Sequence, residues 1–137
     1  MSEKIDQFCE NLRAKLTSVE SHLTQVGESV KAVPQEAEAA IRAKIDQAKA
    51  KHEEHKHRIA EAKTKLEERV QAKKDEVAAE IEAWKTNREI NKLEKRADKA
   101  EDYAVAAIEF AAATVVEADL ATLEAIEARL QAEEAKA

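Results

Sequence analysis

Three of the chain's four histidines fall within six residues: His52, His55 and His57, in the stretch KHEEHKHRIAEAK that spans 51–63. Two chemistries are open to such a cluster. Imidazoles three residues apart share one face of a helix and can share a divalent metal. Glu54 and His57 also have the Glu-x-x-His spacing used by carboxylate-bridged metal bundles. Those bundles draw ligands from several helices, and the remaining histidine, His22, has no glutamate three positions before it. The alternative chemistry is structural: polar groups on the contact seam of a helical bundle fix its register, and imidazoles there answer to pH near 6. His52 and His55 are read here as polar seam positions. A metal site of His52, His55, His57 and Glu54, or a pH-responsive bundle, is the lesser reading.

Nothing else in the sequence has the spacing of a reaction centre. There is no Gly-rich phosphate loop, no nucleophile elbow and no set of loops to enclose a substrate, so the sequence predicts neither enzyme nor cofactor. One glycine, Gly27, and one proline, Pro34, in 137 residues leave few places where a helix can end cheaply. Charged residues make up 38% and aromatics 3%, a balance typical of long helices rather than of a thick globular core. The fold class expected is all-α: an elongated antiparallel helical hairpin or coiled coil with one long central helix, forming a single domain over 1–137.

Three helices are expected to carry these residues. In helix 1, about 3–32, Ile5, Leu12, Val19, Val26 and Val33 recur every seven residues, with Cys9, Leu16, Leu23 and Val30 beside them. Ser2 is placed to cap its start, Gly27 is a weak interior point, and Val33-Pro34 is the break. Helix 2, about 34–100, keeps Ile41, Ile45, Ala48, His52, His55, Ile59, Ala62 and Leu66 on one seam. The seam then slips by four residues through Val70, Val77, Ile81 and Trp84, which unwinds a left-handed supercoil without ending the helix. A bend near Thr86-Asn87-Arg88-Glu89, which has capping-box spacing, is the alternative to one continuous rod. Helix 3, about 101–135, is rich in alanine and apolar almost all round between Tyr103 and Val116. Helix 1 would pack along the first half of helix 2, and helix 3 along the second.

Charge follows the same divisions. Net charge is −1 over 1–33, +2 over 34–100 and −7 over 101–137, with a local +5 over 42–74. An acidic helix 3 lying along a basic helix 2 is favoured by complementarity, within one chain or between copies. The association surface expected is Val105, Ile108, Ala112, Val115, Leu123, Ile126 and Leu130, with Trp84 as an aromatic anchor.

Basic residues 42–74 lack aromatics and carry their own acids, so no nucleic acid partner is expected. Long amphipathic helices with few loops resemble, in pattern, apolipoprotein-like and phasin-like coat proteins, and the basic middle suits anionic headgroups. No stretch reaches the roughly 20 apolar residues of a bilayer crossing. The single Cys9 and the charged start MSEKIDQF point to the reducing cytoplasm. The function expected is that of a non-enzymatic structural or adaptor coiled coil, a dimer or higher homo-oligomer that contacts protein partners through its helices. The alternative is a protein that coats an anionic lipid surface.

Overall fold

A computed structural model describes residues 2–137, and its order of elements is α1 (Glu3–Ala32), a 3-10 turn (Val33–Gln35), α2 (Glu38–Lys74), α3 (Ala78–Thr86) and α4 (Ile90–Lys136). The chain is all-α, as its composition requires.

The entry to α1 is as the sequence reads it. The Ser2 hydroxyl accepts a hydrogen bond from the Ile5 N–H at 3.3 Å, and Glu3 and Asp6 sit in the first turn, where the helix dipole favours negative charge. The helix passes through Gly27 and ends at Ala32. Pro34 then begins a single 3-10 turn, after which Glu36 is extended and α2 begins at Glu38.

The long central helix is not helix 2. The expected rod over 34–100 is interrupted twice, at Asp75–Val77 and again at Asn87–Glu89, so that α2 stops at Lys74 and the short α3 links it to α4. The expected boundary at 100/101 is absent: Glu101 lies inside α4, which runs for 47 residues, or about 70 Å. The shift in composition there marks a change in what the helix packs against and does not mark an end.

Each break is held by identifiable bonds. Val77 leaves helical geometry at φ −108°, ψ 118°, and the preceding Glu76 carboxylate lies 3.5 Å from both Arg69 of α2 and Arg96 of α4. One carboxylate thus ties the end of α2 to the beginning of α4. At the second break the Glu89 N–H bonds to the Trp84 carbonyl at 2.9 Å and the Arg88 N–H to the Lys85 carbonyl at 3.3 Å, which is a Schellman closure of α3. Arg88 occupies its left-handed position with φ 53°. The anticipated capping box does not form. The Thr86 hydroxyl donates back to the Glu82 carbonyl at 2.9 Å, and α4 starts without a side-chain cap.

Helix α4 supports the other three. It packs against α2, α1 and α3, whereas α1 and α2 scarcely touch beyond the turn that joins them. Val33, Ile41, Ile45 and Ala48 close on Leu123, with Leu120, Ile126 and Leu130 packed around them, so the start of α2 meets the end of α4 and the two run antiparallel. Next to this cluster, the Lys44 ammonium bridges back to the Ser29 carbonyl at 2.9 Å and to the Glu36 carboxylate. Further along, Ala62, Ala106 and Ala113 are the remaining buried side chains, and their small size brings the backbones together. Among the described residues eight hydrophobic side chains are buried, four of them alanine, and none belongs to α1.

The chain's one glycine and, among the described residues, its one left-handed residue are in different places. A Cβ at Gly27 would meet nothing within 4 Å, so Gly27→Ala should stabilise the protein by about 0.5–1 kcal/mol through helix propensity. Arg88→Gly should also stabilise it, by roughly the same amount, because a left-handed non-glycine residue is strained. Urea melts of the two variants measure both effects. A lower midpoint for Arg88→Gly would mean that the Arg88 side chain contributes more than its backbone strain costs.

Candidate functional site

Because α1 and α2 both rest on α4 without covering the space between them, a groove runs along the molecule. Its floor is α4 and its walls are α1 and α2. Next to the Pro34 turn it holds a chamber of about 310 Å³ lined by His22, Gln25 and Val26 of α1, Lys51, Glu54 and His55 of α2, and Val115, Asp119 and Leu123 of α4. It then opens into a chamber of about 610 Å³ between Lys15, Val19 and His22 on one side and His55, Arg58, Glu61, Ala62 and Lys65 on the other. The floor there is Ile108, Ala112, Ala113 and Val116. A third chamber of about 500 Å³ continues between α2 and α4, past Arg69 and Ala72 to Tyr103 and Val105. Adjacent chambers share lining residues, His55 in the first pair and Lys65 in the second, so the three lie in one row, of which α1 walls the first two.

The groove exists because its floor is alanine. Larger side chains at 112 and 113 would fill the space that α1 and α2 leave. With Ala62 opposite, the α2–α4 approach is close, while the α1 side remains open. Lys15 of α1 reaches Glu109 of α4 at 3.9 Å, one of the few polar ties across that side. At the floor of the small chamber the Asp119 Oδ1 is buried and has no partner within the protein.

The histidines anticipated as a cluster are dispersed by the helix. His52 and His55 are half-buried on the seam, whereas His57 is exposed. Glu54 lines the small chamber, which His57 does not. Among the described residues no three His, Cys, Asp or Glu side chains stand together so as to hold a metal ion. The residue that sequence spacing missed is His22, which lines the same two chambers as His55 from the opposite wall. Its only signal is its place on α1, one turn beyond Val19 and one turn before Val26, and it becomes informative once α1 is known to face α2 across α4.

The stripe expected to mediate association is largely occupied within the chain. Leu123 is fully buried, at 1% exposure, and Ile126 and Leu130 pack against its cluster. Ile108, Ala112 and Val115 floor the two nearer chambers and Val105 the third. Trp84 is half-buried at the end of α3, with the Lys92 ammonium 5.8 Å from its ring centre, a cation–π contact that joins α3 to α4. The exposed apolar surface is instead on α1 and at the connecting segments: Ile5, Leu16 and Leu23 are 45%, 53% and 59% exposed, and Val70, Val77 and Ile90 are similar.

No protein-family model, curated protein or solved structure matches the chain. The site is therefore read from its own geometry.

Half-buried imidazoles on an apolar seam lose hydration without gaining a partner, so His52→Leu/His55→Leu should raise the melting temperature by roughly 2–4 °C. Circular dichroism melts with and without added Zn²⁺ test this. A fall in stability, or a Zn²⁺-dependent rise in the wild type that the variant loses, would establish a metal site instead.

Proposed function

We propose that the chain is a non-enzymatic structural or adaptor module that acts through helix-mediated association, and that the outer flank of α1 is where it associates with another helix. The observation that carries this reading is that α1, 30 residues long and amphipathic, buries none of its side chains. Leu16 and Leu23 follow Lys15 and His22 of the groove wall by one residue and so stand about 100° further round the helix, on the flank away from α2. With Ile5 and the exposed Cys9 they make an apolar strip that the fold leaves in water.

The area supports the same conclusion. A compact monomer of this mass, 15.2 kDa, exposes about 7,100 Å². This chain exposes 10150 Å². The excess on one chain, roughly 3,000 Å², exceeds the 1,000–2,500 Å² or so that each partner contributes to an obligate interface, so surface is left over for such a contact. A reducing, cytoplasmic setting suits a module whose one cysteine lies on that strip.

A second reading, adsorption of α1 to an anionic lipid surface, is favoured by the same lack of burial, since an amphipathic helix hinged at Pro34 can turn its apolar face to a bilayer. No described helix is long and apolar enough to cross one.

Leu16→Glu/Leu23→Glu separates these readings. Sedimentation equilibrium should show a defined oligomer for the wild type and a monomer of unchanged helicity for the variant, with neither altered by anionic phosphatidylglycerol vesicles. A wild-type monomer that gains helix and sediments with vesicles would replace association by lipid coating.

A further inference from the structure

Of the three long helices, α1 alone has a charge balance that lets it lie against its own copy. Residues 1–33 carry a net −1, whereas 101–137 carry −7 and 42–74 carry +5, so two α4 helices or two α2 helices brought side by side would repel. The same helix holds the apolar strip that the fold leaves in water, Ile5, Cys9, Leu16 and Leu23. The charges that border this strip are Glu3, Asp6, Glu10, Arg13, Glu20 and Lys31, each within about 100° of the Cys9, Leu16 and Leu23 column on its outer side. Their order along the helix decides how two copies meet. In a parallel pair every charge meets itself, the acids Glu3, Asp6 and Glu10 at one end and Arg13 and Glu20 in the middle, which like-charge repulsion disfavours. In an antiparallel pair with a twofold axis beside Leu16, Arg13 comes level with Glu20 of the second copy and Glu3 with Lys31 of the second copy. Asp6 then comes level with Gly27 of the second copy, which has no side chain.

We infer that α1 pairs antiparallel with the α1 of a second copy of this chain, about a twofold axis beside Leu16, and that the product is a closed dimer. This proposal rests on the association reading above and names the partner and its direction. The register that pairs the charges also lays Leu16 on Leu16 of the second copy and Leu23 beside Cys9 of the second copy, so the apolar residues and the charged ones agree on it. Antiparallel packing further sets the positive start of each α1 beside the negative end of the other. Such a pair covers the strip on both copies at once and therefore stops at two.

The charges within the single chain do not oppose this pairing. Among the described residues Glu3, Glu20 and Lys31 form no ion pair, so each meets its opposite charge across the axis. Arg13 holds Glu10 in a surface pair whose side chains are 70% and 66% exposed. A guanidinium has five donors, enough to bridge Glu10 of its own chain and Glu20 of the second copy. The area is also sufficient. Two 30-residue helices lie together over about 45 Å, and the surplus surface of each chain exceeds the roughly 800 Å² that one side of a standard interface buries.

Sedimentation equilibrium of charge-reversal variants of the full chain is the test. R13E and E20R should each raise the dimer dissociation constant at least about fivefold, since each sets like charges together twice in the symmetric pair. R13E/E20R, in which the pair re-forms with its signs exchanged, should return it to within about twofold of the wild type. Circular dichroism melts establish that all three variants are equally folded. Oxidation with copper phenanthroline should leave the wild-type dimer without a disulfide, because the two Cys9 thiols stand about 20 Å apart in this register. Single reversals that associate like the wild type, or a double reversal no better than the singles, would overturn the antiparallel pairing. So would a Cys9–Cys9 disulfide formed within the dimer, which a parallel pair allows and this one does not. If Leu16→Glu/Leu23→Glu nevertheless abolishes the oligomer, the association reading stands and the antiparallel pairing alone is overturned. An oligomer untouched by that variant, or a wild type that is monomeric throughout, would overturn both.

Discussion

The fold depends on the ability of one helix to be buried on several sides at once. Between Tyr103 and Val116 α4 presents small or apolar residues around almost its whole circumference, where residues of α1 and α2 face it, while α3 joins α4 near its start through Trp84 and Lys92. Alanine is what permits this. Ala106 and Ala113 let α2 approach closely, and Ala112 leaves room beside α1, so the same residue type produces tight packing on one side and an open groove on the other. The large side chains are confined to one end, where Val33, Ile41, Ile45 and Leu123 surround the Pro34 turn. Each fully buried side chain of that size contributes roughly 1.5–3 kcal/mol, so the stability of the chain is concentrated near the turn and thins with distance from it.

Much of this is legible in the sequence, because it follows from residues with strong individual preferences. Pro34 stops α1 where proline must, Ser2 caps it, and the seven-residue recurrence of Val19, Val26 and Val33 marks the side turned to the groove and, at Val33, to the core cluster. The seam of α2 is equally plain, and it places His52 and His55 correctly. The second break falls at the Thr86-Asn87-Arg88-Glu89 bend that the sequence offers as the alternative to one rod, whereas the first, at Asp75–Val77, has no signal in the sequence. Neither Asp75–Val77 nor Asn87–Glu89 contains glycine or proline. The first break is held by ion pairs to Glu76 from Arg69 in the last turns of α2 and from Arg96, which is distant in sequence, and the second by main-chain bonds that force Arg88 into a left-handed conformation. A four-residue slip of the apolar pattern after Leu66 is compatible with a continuous rod as well as with a turn, and tertiary pairing decides between them.

Site residues are divided in the same way. Leu123, Ile126 and Leu130 are identifiable as contact positions from periodicity alone, but periodicity does not say whether the contact is with the same chain or another. The pairing of His22 and His55 across the groove depends on α1 lying parallel to α4 while α2 lies antiparallel, a property of topology that no local spacing encodes. Conversely, the strip Ile5, Leu16 and Leu23 looks in sequence like any core-facing set. Its exposure becomes apparent only once α1 is seen to rest on α4 by one edge. In this architecture α2 and α4 form the stable pair and α1 is the element held in readiness for a further contact.

That division of roles makes α1 the place where association should be visible as order. Amide hydrogen exchange, followed by mass spectrometry at protein concentrations spanning about three decades, is the most direct measurement. Peptides from α2 and α4 around Ile45 and Leu123 should be protected equally at all concentrations, whereas protection of α1 between Ile5 and Leu23 should rise with concentration. Protection of α1 that is concentration-independent and as strong as that of α4 would contradict this, since α1 would then be secured by the single chain alone.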